Sequence, residues 1–426
     1  MTDQNTPPRV IGLAGAVLIN LNAVVGAGIF ALPALLYAGA GSMAPLIVLA
    51  YALLMIAPLL VTAKLSTLFD QSGGSQLYAE RAFGRFAGFQ TGWSLLGQNI
   101  AARAANFHVL VSYLAAIFPL FDAPIIRMAT ILALIVLVTT LSVIGMRRSI
   151  EALWVGTALK LGPILLVCLA GFIANGLPTT YTLPQFTQIE SIALLLAYAY
   201  SGCDLATIAA GEVHDARRTI YRSIFVNLAV IALFYAFVQW AYIAIDPQGV
   251  NADRPLASAG EAVLGQWGVI AISVAAIFST GTNQMSYFVT MPRLIFGMSQ
   301  RGLLPAFLAR VSGRFLTPAN AIMAYGAIVA VLALSGTFAA LATFTVALET
   351  LTGVLVILAL PMLWRRGEVA IGKRAMALFW ATIVVAALTF NLWLLSQVPA
   401  SSALPTLAVL VVGTALYFLA ANKRAD

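Results

Sequence analysis

Val24-Val25-Gly26-Ala27-Gly28-Ile29-Phe30-Ala31-Leu32-Pro33 lies near the centre of the chain's first apolar run, and Tyr198-Ala199-Tyr200-Ser201-Gly202-Cys203-Asp204 near the centre of its sixth. Glycine costs about 1 kcal/mol in a helix interior, and proline removes the backbone bond to the residue four positions earlier. Each stretch therefore marks a break in a helix that would otherwise run on. The two glycine breaks stand 176 residues apart, five spans from one another, on segments that run in opposite directions. Paired breaks of this kind are the sequence sign of inverted repeats with a binding site near the midplane of a bilayer. Taken singly, either could instead be a small-residue seam for close helix packing.

The rest of the chain supports a membrane setting. Of 426 residues, 61% are hydrophobic and only 9% are charged, where a soluble domain carries roughly 25% charged residues. The mean hydropathy is +0.96. Such a chain lacks the polar groups to cover a soluble globule, which excludes a nucleic-acid binder, a secreted disulfide scaffold and a disordered tail. Cys168 and Cys203 both lie in apolar runs, and the two histidines, His108 and His214, are too few for a metal or haem cluster. No cofactor is expected. The N-terminal MTDQNTPPRV has no short apolar core with a cleavage site, so the first apolar run is expected to stay as a span.

A helical span needs about 20 apolar residues. Twelve are read, at roughly 10–38, 43–66, 83–118, 124–145, 150–174, 188–213, 219–245, 262–298, 318–336, 339–364, 375–397 and 402–421. These leave no room for a soluble domain, so 1–426 reads as a single transmembrane domain. With the N-terminus inside, 19 of the 23 basic residues fall on the cytoplasmic side and only Arg127 and Arg254 outside. That asymmetry matches the enrichment of Lys and Arg in cytoplasmic loops, and it puts both termini in the cytoplasm. It also accounts for the net charge of +8 without an acidic partner.

Irregular backbone at membrane depth is tolerated only where it is buried or lines a cavity. The freed N–H groups at the start of a half-helix can hold a carboxylate, and freed carbonyls can hold an ammonium. A molecule carrying both groups is an α-amino acid. In this reading the carboxylate sits on Gly26, Ala27 and Gly28, and the amine on carbonyls around Tyr200, Ser201, Gly202 and Cys203.

Several stretches have a recognisable spelling: VVGAGIFALP at 24–33, SGGSQLYAERAFG at 72–84, YAYSGCDLATIAAGE at 198–212, and RLIFGMSQRGLLPAFLARV at 293–311 followed by Thr317-Pro318. In these the chain resembles the amino acid–polyamine–organocation (APC) transporter superfamily, and is similar in style to bacterial amino acid permeases and basic amino acid–polyamine antiporters. The resemblance implies an all-α integral membrane protein of LeuT-type fold. Its 5+5 inverted repeat has broken helices 1 and 6, covers 10–174 and then 188–364, and is followed by two extra helices at 375–421. It further implies a secondary active transporter of amino acids in the cytoplasmic (inner) membrane, working by alternating access. An arginine/agmatine or polyamine exchanger is the alternative. The chain departs from the family pattern at His214-Asp215-Ala216 and Tyr221, where an Asn/Asp-Pro pair and a second proline are usual. It departs again at Asp204, where Glu is usual.

Four charges fall within spans: Arg103, Lys160, Asp204 and Glu349. Each costs about 2.5–3.5 kcal/mol on insertion and so needs a partner or a function. Asp204 can cap the lower half of span 6 by accepting the N–H of Ala206 or Thr207; the resemblance adds a place beside the substrate and a part in coupling. Lys160 can be a structural charge. By resemblance it instead fills the volume a sodium ion occupies in sodium-coupled relatives, touches the unwound carbonyls near Gly26, and cycles a proton during sodium-independent transport. Arg103 and Glu349 can form a buried ion pair between spans 3 and 10, or face the substrate separately. Tyr198, Tyr200 and Tyr287 are candidate gate residues, or plain packing. Ser279, Thr280, Thr282 and Asn283 form a polar patch on span 8 that faces Lys160 or, in place of it, a sodium ion. His108 reads as a packed histidine and His214 as a solvated loop residue. The expected partners are thus a small amino acid or amine, protons and the lipid bilayer.

Overall fold

The computed structural model describes residues 11–69, 74–145, 150–178, 180–207, 213–246, 251–369 and 374–422. The end of the third motif (208–212), two residues of the second (72–73), and Arg9, Arg147, Arg148, Lys373, Lys423 and Arg424 of the charge pattern lie outside the described residues.

Regular structure among the described residues is helical throughout. In chain order the helices are α1 (Leu13–Val24), α2 (Gly28–Ala40), α3 (Ala44–Ser66), α4 (Ser75–Phe83), α5 (Arg85–Ile117), α6 (Pro124–Ile144), α7 (Ile150–Asn175) and α8 (Phe186–Tyr200). After the second break come α9 (Ala216–Ile245), α10 (Pro255–Leu264), α11 (Gln266–Thr290), α12 (Pro292–Gln300), α13 (Ala319–Ala333), α14 (Phe338–Arg365), α15 (Arg374–Ser396) and α16 (Ala400–Asn422). Among the described residues, eight segments are long and apolar enough to cross a membrane. The longest, Gly28–Ser66, is α2 and α3 joined by a single turn at Gly41–Met43.

Burial orders these helices. The most apolar window of α5 is 83% buried and that of α16 only 11%, so α5 is the hub and α16 an outer helix. Helix α5 packs on α14, α11 and α13; α9 packs on α3, α1 and α7; α15 packs on α3 and α14. Many outward side chains of α6, α15 and α16, such as Ile125, Val136, Leu378, Leu404 and Val411, are large, apolar and exposed. That pattern suits hydrocarbon, not water.

Both expected breaks are present, the first without an interruption at its proline. The first falls at Val25–Ala27, between α1 and α2, while Pro33 sits inside α2 without interrupting it. Gln239 of α9 donates to the Pro33 carbonyl at 3.0 Å there. In the second, α8 stops at Tyr200, a turn follows, and residues 205–207 are helical, while 208–212, where the lower half-helix is expected to continue, lie outside the described residues. The expected span at 262–298 is also revised. Gly265, at φ +59°, turns the chain between α10 and α11, and Pro292 opens a separate α12. A positive φ of that size costs a non-glycine residue steric energy, so apolar content overestimates this helix where one glycine sets a corner.

Candidate functional site

The two breaks face one cavity of about 180 Å³, roughly six times a water's share of liquid volume and so suited to a small solute. All twelve residues expected to bind substrate line it: Gly26, Ala27, Gly28, Arg103, Tyr198, Tyr200, Ser201, Gly202, Cys203, Asp204, Tyr287 and Glu349. Lys160 does not line it but lies behind the first break.

The first break is held from behind by side chains. Lys160 of α7, 2% exposed, donates from Nζ to the Val25 carbonyl at 2.9 Å and to Asn22 Oδ1 at 2.8 Å. Ser279 of α11 reaches the same Val25 carbonyl at 3.4 Å, Asn283 Nδ2 donates to the Asn22 carbonyl at 2.8 Å, and the Tyr235 hydroxyl donates to the Val24 carbonyl at 3.2 Å. Three carbonyls at this break, those of Asn22, Val24 and Val25, are thus engaged by side chains from other helices. On the cavity side, the N–H groups of Ala27 and Gly28 have no acceptor among the described residues. They open α2, whose N-terminus carries the positive end of its dipole.

The second break is held by shape. Gly202 has φ +97°, and a Cβ there would stand 3.2 Å from Cβ of Ala23, so the turn of span 6 rests directly on span 1. Only glycine meets both conditions without strain. Below it, Asn20 of α1 accepts the Ala206 N–H at 2.8 Å, and the Asp204 carbonyl accepts the Thr207 N–H at 2.9 Å. The expected capping role of the Asp204 side chain is therefore corrected: Asn20, 186 residues earlier, is the cap of Ala206. Tyr200 and Ser201 line the cavity, and their carbonyls have no donor among the described residues.

Arg103 and Glu349 do not pair. The Ser201 hydroxyl donates to Glu349 Oε2 at 2.7 Å. The Arg103 guanidinium hydrogen-bonds Asn283 Oδ1 and lies flat against Tyr287, with Cζ 3.8 Å from the ring centre. No ion pair joins Arg103 to Glu349 among the described residues. Each aromatic ring can hold a buried cation through its negative face, so Arg103 needs no carboxylate. Asn106 links this group to the second break by accepting from the Tyr198 hydroxyl at 2.8 Å. The Tyr200 hydroxyl is anchored on the Val48 carbonyl at 2.8 Å.

Within the expected polar patch, Ser279 and Asn283 face the first break. Thr282 instead bonds to its own helix at the Phe278 carbonyl, 2.9 Å away. His108 is packed: its Nε2 meets the Ala333 carbonyl at 2.9 Å and the residue does not line the cavity. Sequence reasoning missed Asn20, Asn22 and Tyr235 behind the breaks, and Phe390, Asn391 and Leu394 of α15 in the cavity wall. A polar residue inside an apolar run was the available signal for the two asparagines. Asn391 carries the same signal, and nothing local marks Phe390 and Leu394.

A family model described as amino acid permease matches residues 11–417. An uncharacterized transporter of Mycobacterium tuberculosis is 28% identical over 338 residues, which is 76% of this chain and 73% of that protein. Asc-type amino acid transporter 1 of Homo sapiens is 28% identical over 378 residues, 84% of this chain and 72% of its own. Large neutral amino acids transporter small subunit 2 of Oryctolagus cuniculus is 28% identical over 335 residues, 74% of this chain and 62% of its own.

Proposed function

The chain belongs to the amino acid permease family, and from that premise we propose that it carries amino acids across the cytoplasmic membrane as a secondary transporter. One observation carries the reading. The open N–H groups of Ala27 and Gly28 and the open carbonyls of Tyr200 and Ser201 wall the same small cavity. Donors on one break and acceptors on the other are what a zwitterion's carboxylate and ammonium require. The two relatives named for amino acids point the same way.

In this proposal the chain has twelve spans. Helices α1 and α2 form the first; α3, α5, α6 and α7 the next four; α8 with the residues after it the sixth; and α9, α11, α13, α14, α15 and α16 the last six. The first five and the second five are inverted repeats, and both termini are cytoplasmic. Rocking of spans 1, 2, 6 and 7 against the rest exposes the cavity to each side in turn.

Lys160 makes transport independent of sodium, because its ammonium already occupies the space beside the Val25 carbonyl where a cation would bind. Loss and regain of its proton couples transport to protons. A second reading, exchange of arginine with agmatine or of polyamines, has one observation in its favour. Asp204 and Glu349 both line the cavity, while its guanidinium, Arg103, is already engaged by Asn283 and Tyr287.

The test is uptake of labelled amino acids into proteoliposomes without sodium, with an empty or preloaded lumen, and with or without an inward proton gradient. Gradient-driven uptake into empty vesicles is the expected result. Uptake only into preloaded vesicles would establish the exchanger, and a requirement for sodium would overturn the role given to Lys160.

A further inference from the structure

Helix α15 lies after the proposed repeats, yet Phe390, Asn391 and Leu394 open onto the same cavity as the two breaks. They share its wall with Met55 and Leu59 of α3 and Val356 of α14, the two helices on which α15 packs. The cavity is therefore unlike on its two flanks. Toward α5 and α11 it is walled by polar residues: Arg103, bonded to Asn283 and stacked on Tyr287, and Asn106, bonded to Asn283 and Tyr198. Toward α3 and α15 it is walled mainly by carbon, from Met55, Pro58, Leu59, Phe390 and Leu394, with Thr62 and Asn391 as the polar residues there.

That flank is continuous with the second break through a chain of aromatic rings. Phe390 stands edge-on to Tyr51 at 5.4 Å, and Tyr51 stacks on Tyr200 at 5.9 Å, next to the open carbonyls of the break. Behind Phe390, Trp393 stacks at 6.0 Å. Helix α15 is also fixed closely against α14, since a Cβ on Gly353 would stand 2.7 Å from Asn391 Oδ1. Asn391 spends its amide donor on the Ala387 carbonyl at 3.0 Å, so Oδ1 is left as a polar atom at the edge of the recess.

We infer that α15 is a specificity wall: Phe390 and Leu394 close an apolar recess that receives the side chain of the transported amino acid and limits its size. The inference rests on the amino acid reading above, and adds that the preferred substrates carry apolar side chains. With the carboxylate and ammonium held at the breaks, the remaining part of the molecule must lie along one flank. An apolar group gains most where it displaces water from carbon and leaves no polar partner unpaired.

The experiment compares uptake of labelled alanine, leucine and phenylalanine into proteoliposomes holding the full-length wild type, Leu394→Trp or Phe390→Ala. Leu394→Trp fills the recess, and the phenylalanine-to-alanine uptake ratio is expected to fall about tenfold, the scale on which a pocket discriminates by side-chain bulk. Phe390→Ala enlarges the recess and is expected to raise the same ratio. A ratio that stays at the wild-type value in both variants overturns the wall while leaving the amino acid reading intact. A wild type that takes up none of the three overturns that reading, and this inference with it. Should Leu394→Trp be inactive toward every substrate, the direction of the change in Phe390→Ala decides.

Discussion

The two breaks in the helices do one job with different means. At Val25–Ala27 the backbone is opened and its carbonyls are captured by Lys160, Ser279, Asn283 and Tyr235, four side chains from three other helices. The glycines there are not forced by space, since a Cβ on Gly26 would meet Asn283 at 3.5 Å, an ordinary contact. At Ser201–Thr207 the reverse holds. One glycine, Gly202, is required by both its φ of +97° and its contact with Ala23, and Asn20 and Ser201 add side-chain bonds. The first break is thus an electrostatic construction and the second a steric one. A break held by hydrogen bonds can be rearranged by moving a proton or a helix, whereas a break held by backbone conformation moves as a unit.

The strongest way to break this comparison is Lys160→Met, which keeps an apolar stem of similar length and removes both hydrogen bonds. Hydrogen bonds from a charged donor are each worth about 1.5–3 kcal/mol, so uptake is expected to fall by about a hundredfold in the proteoliposome assay. Uptake near the wild-type rate would show that the first break does not depend on its lysine. Next in size is Gly202→Ala. Forcing a side chain onto that conformation costs about 1–3 kcal/mol, so the purified protein should melt at a lower temperature in detergent. Asn20→Ala comes third, since it orphans the buried Ala206 N–H at a cost of about 1–2 kcal/mol. Its melting temperature should fall, while Asp204→Asn should match wild type; the opposite pattern would restore the aspartate as the cap. Smallest in stability is Gly26→Ala, expected to change unfolding by less than about 1 kcal/mol. Its effect should be on KM, because the added methyl enters a residue that lines the cavity. A large loss of stability from Gly26→Ala would erase the difference between the two breaks.

Much of this site is legible in the residues themselves. Gly26 and Gly202 announce breaks because helix propensity and left-handed φ are properties of one residue and its neighbours. Lys160, a charge in the middle of an apolar run, announces a buried partner for the same local reason. Other features resist such reading. Arg103 and Glu349 look like a pair because each is a charge lacking a local partner, yet each bonds a neutral neighbour instead, Asn283 and Ser201. The Asp204 side chain is adjacent in sequence to the N–H groups it was expected to cap, but Asn20 outcompetes it from another helix. The long run at 262–298 hides a corner at Gly265 because apolar content does not report direction.

By itself the sequence determines that this chain is helical, that its helices suit a bilayer, and where two of them must open. Those outcomes follow from backbone propensity and from the cost of placing polar groups in hydrocarbon, which act residue by residue. Tertiary structure alone decides which side chain satisfies each opened carbonyl, that Asn283 reaches the Asn22 carbonyl across 261 residues, and that α15 walls the cavity. Hydrogen bonds and packing act over a few ångströms, and only the folded chain brings residues so far apart in sequence within that range.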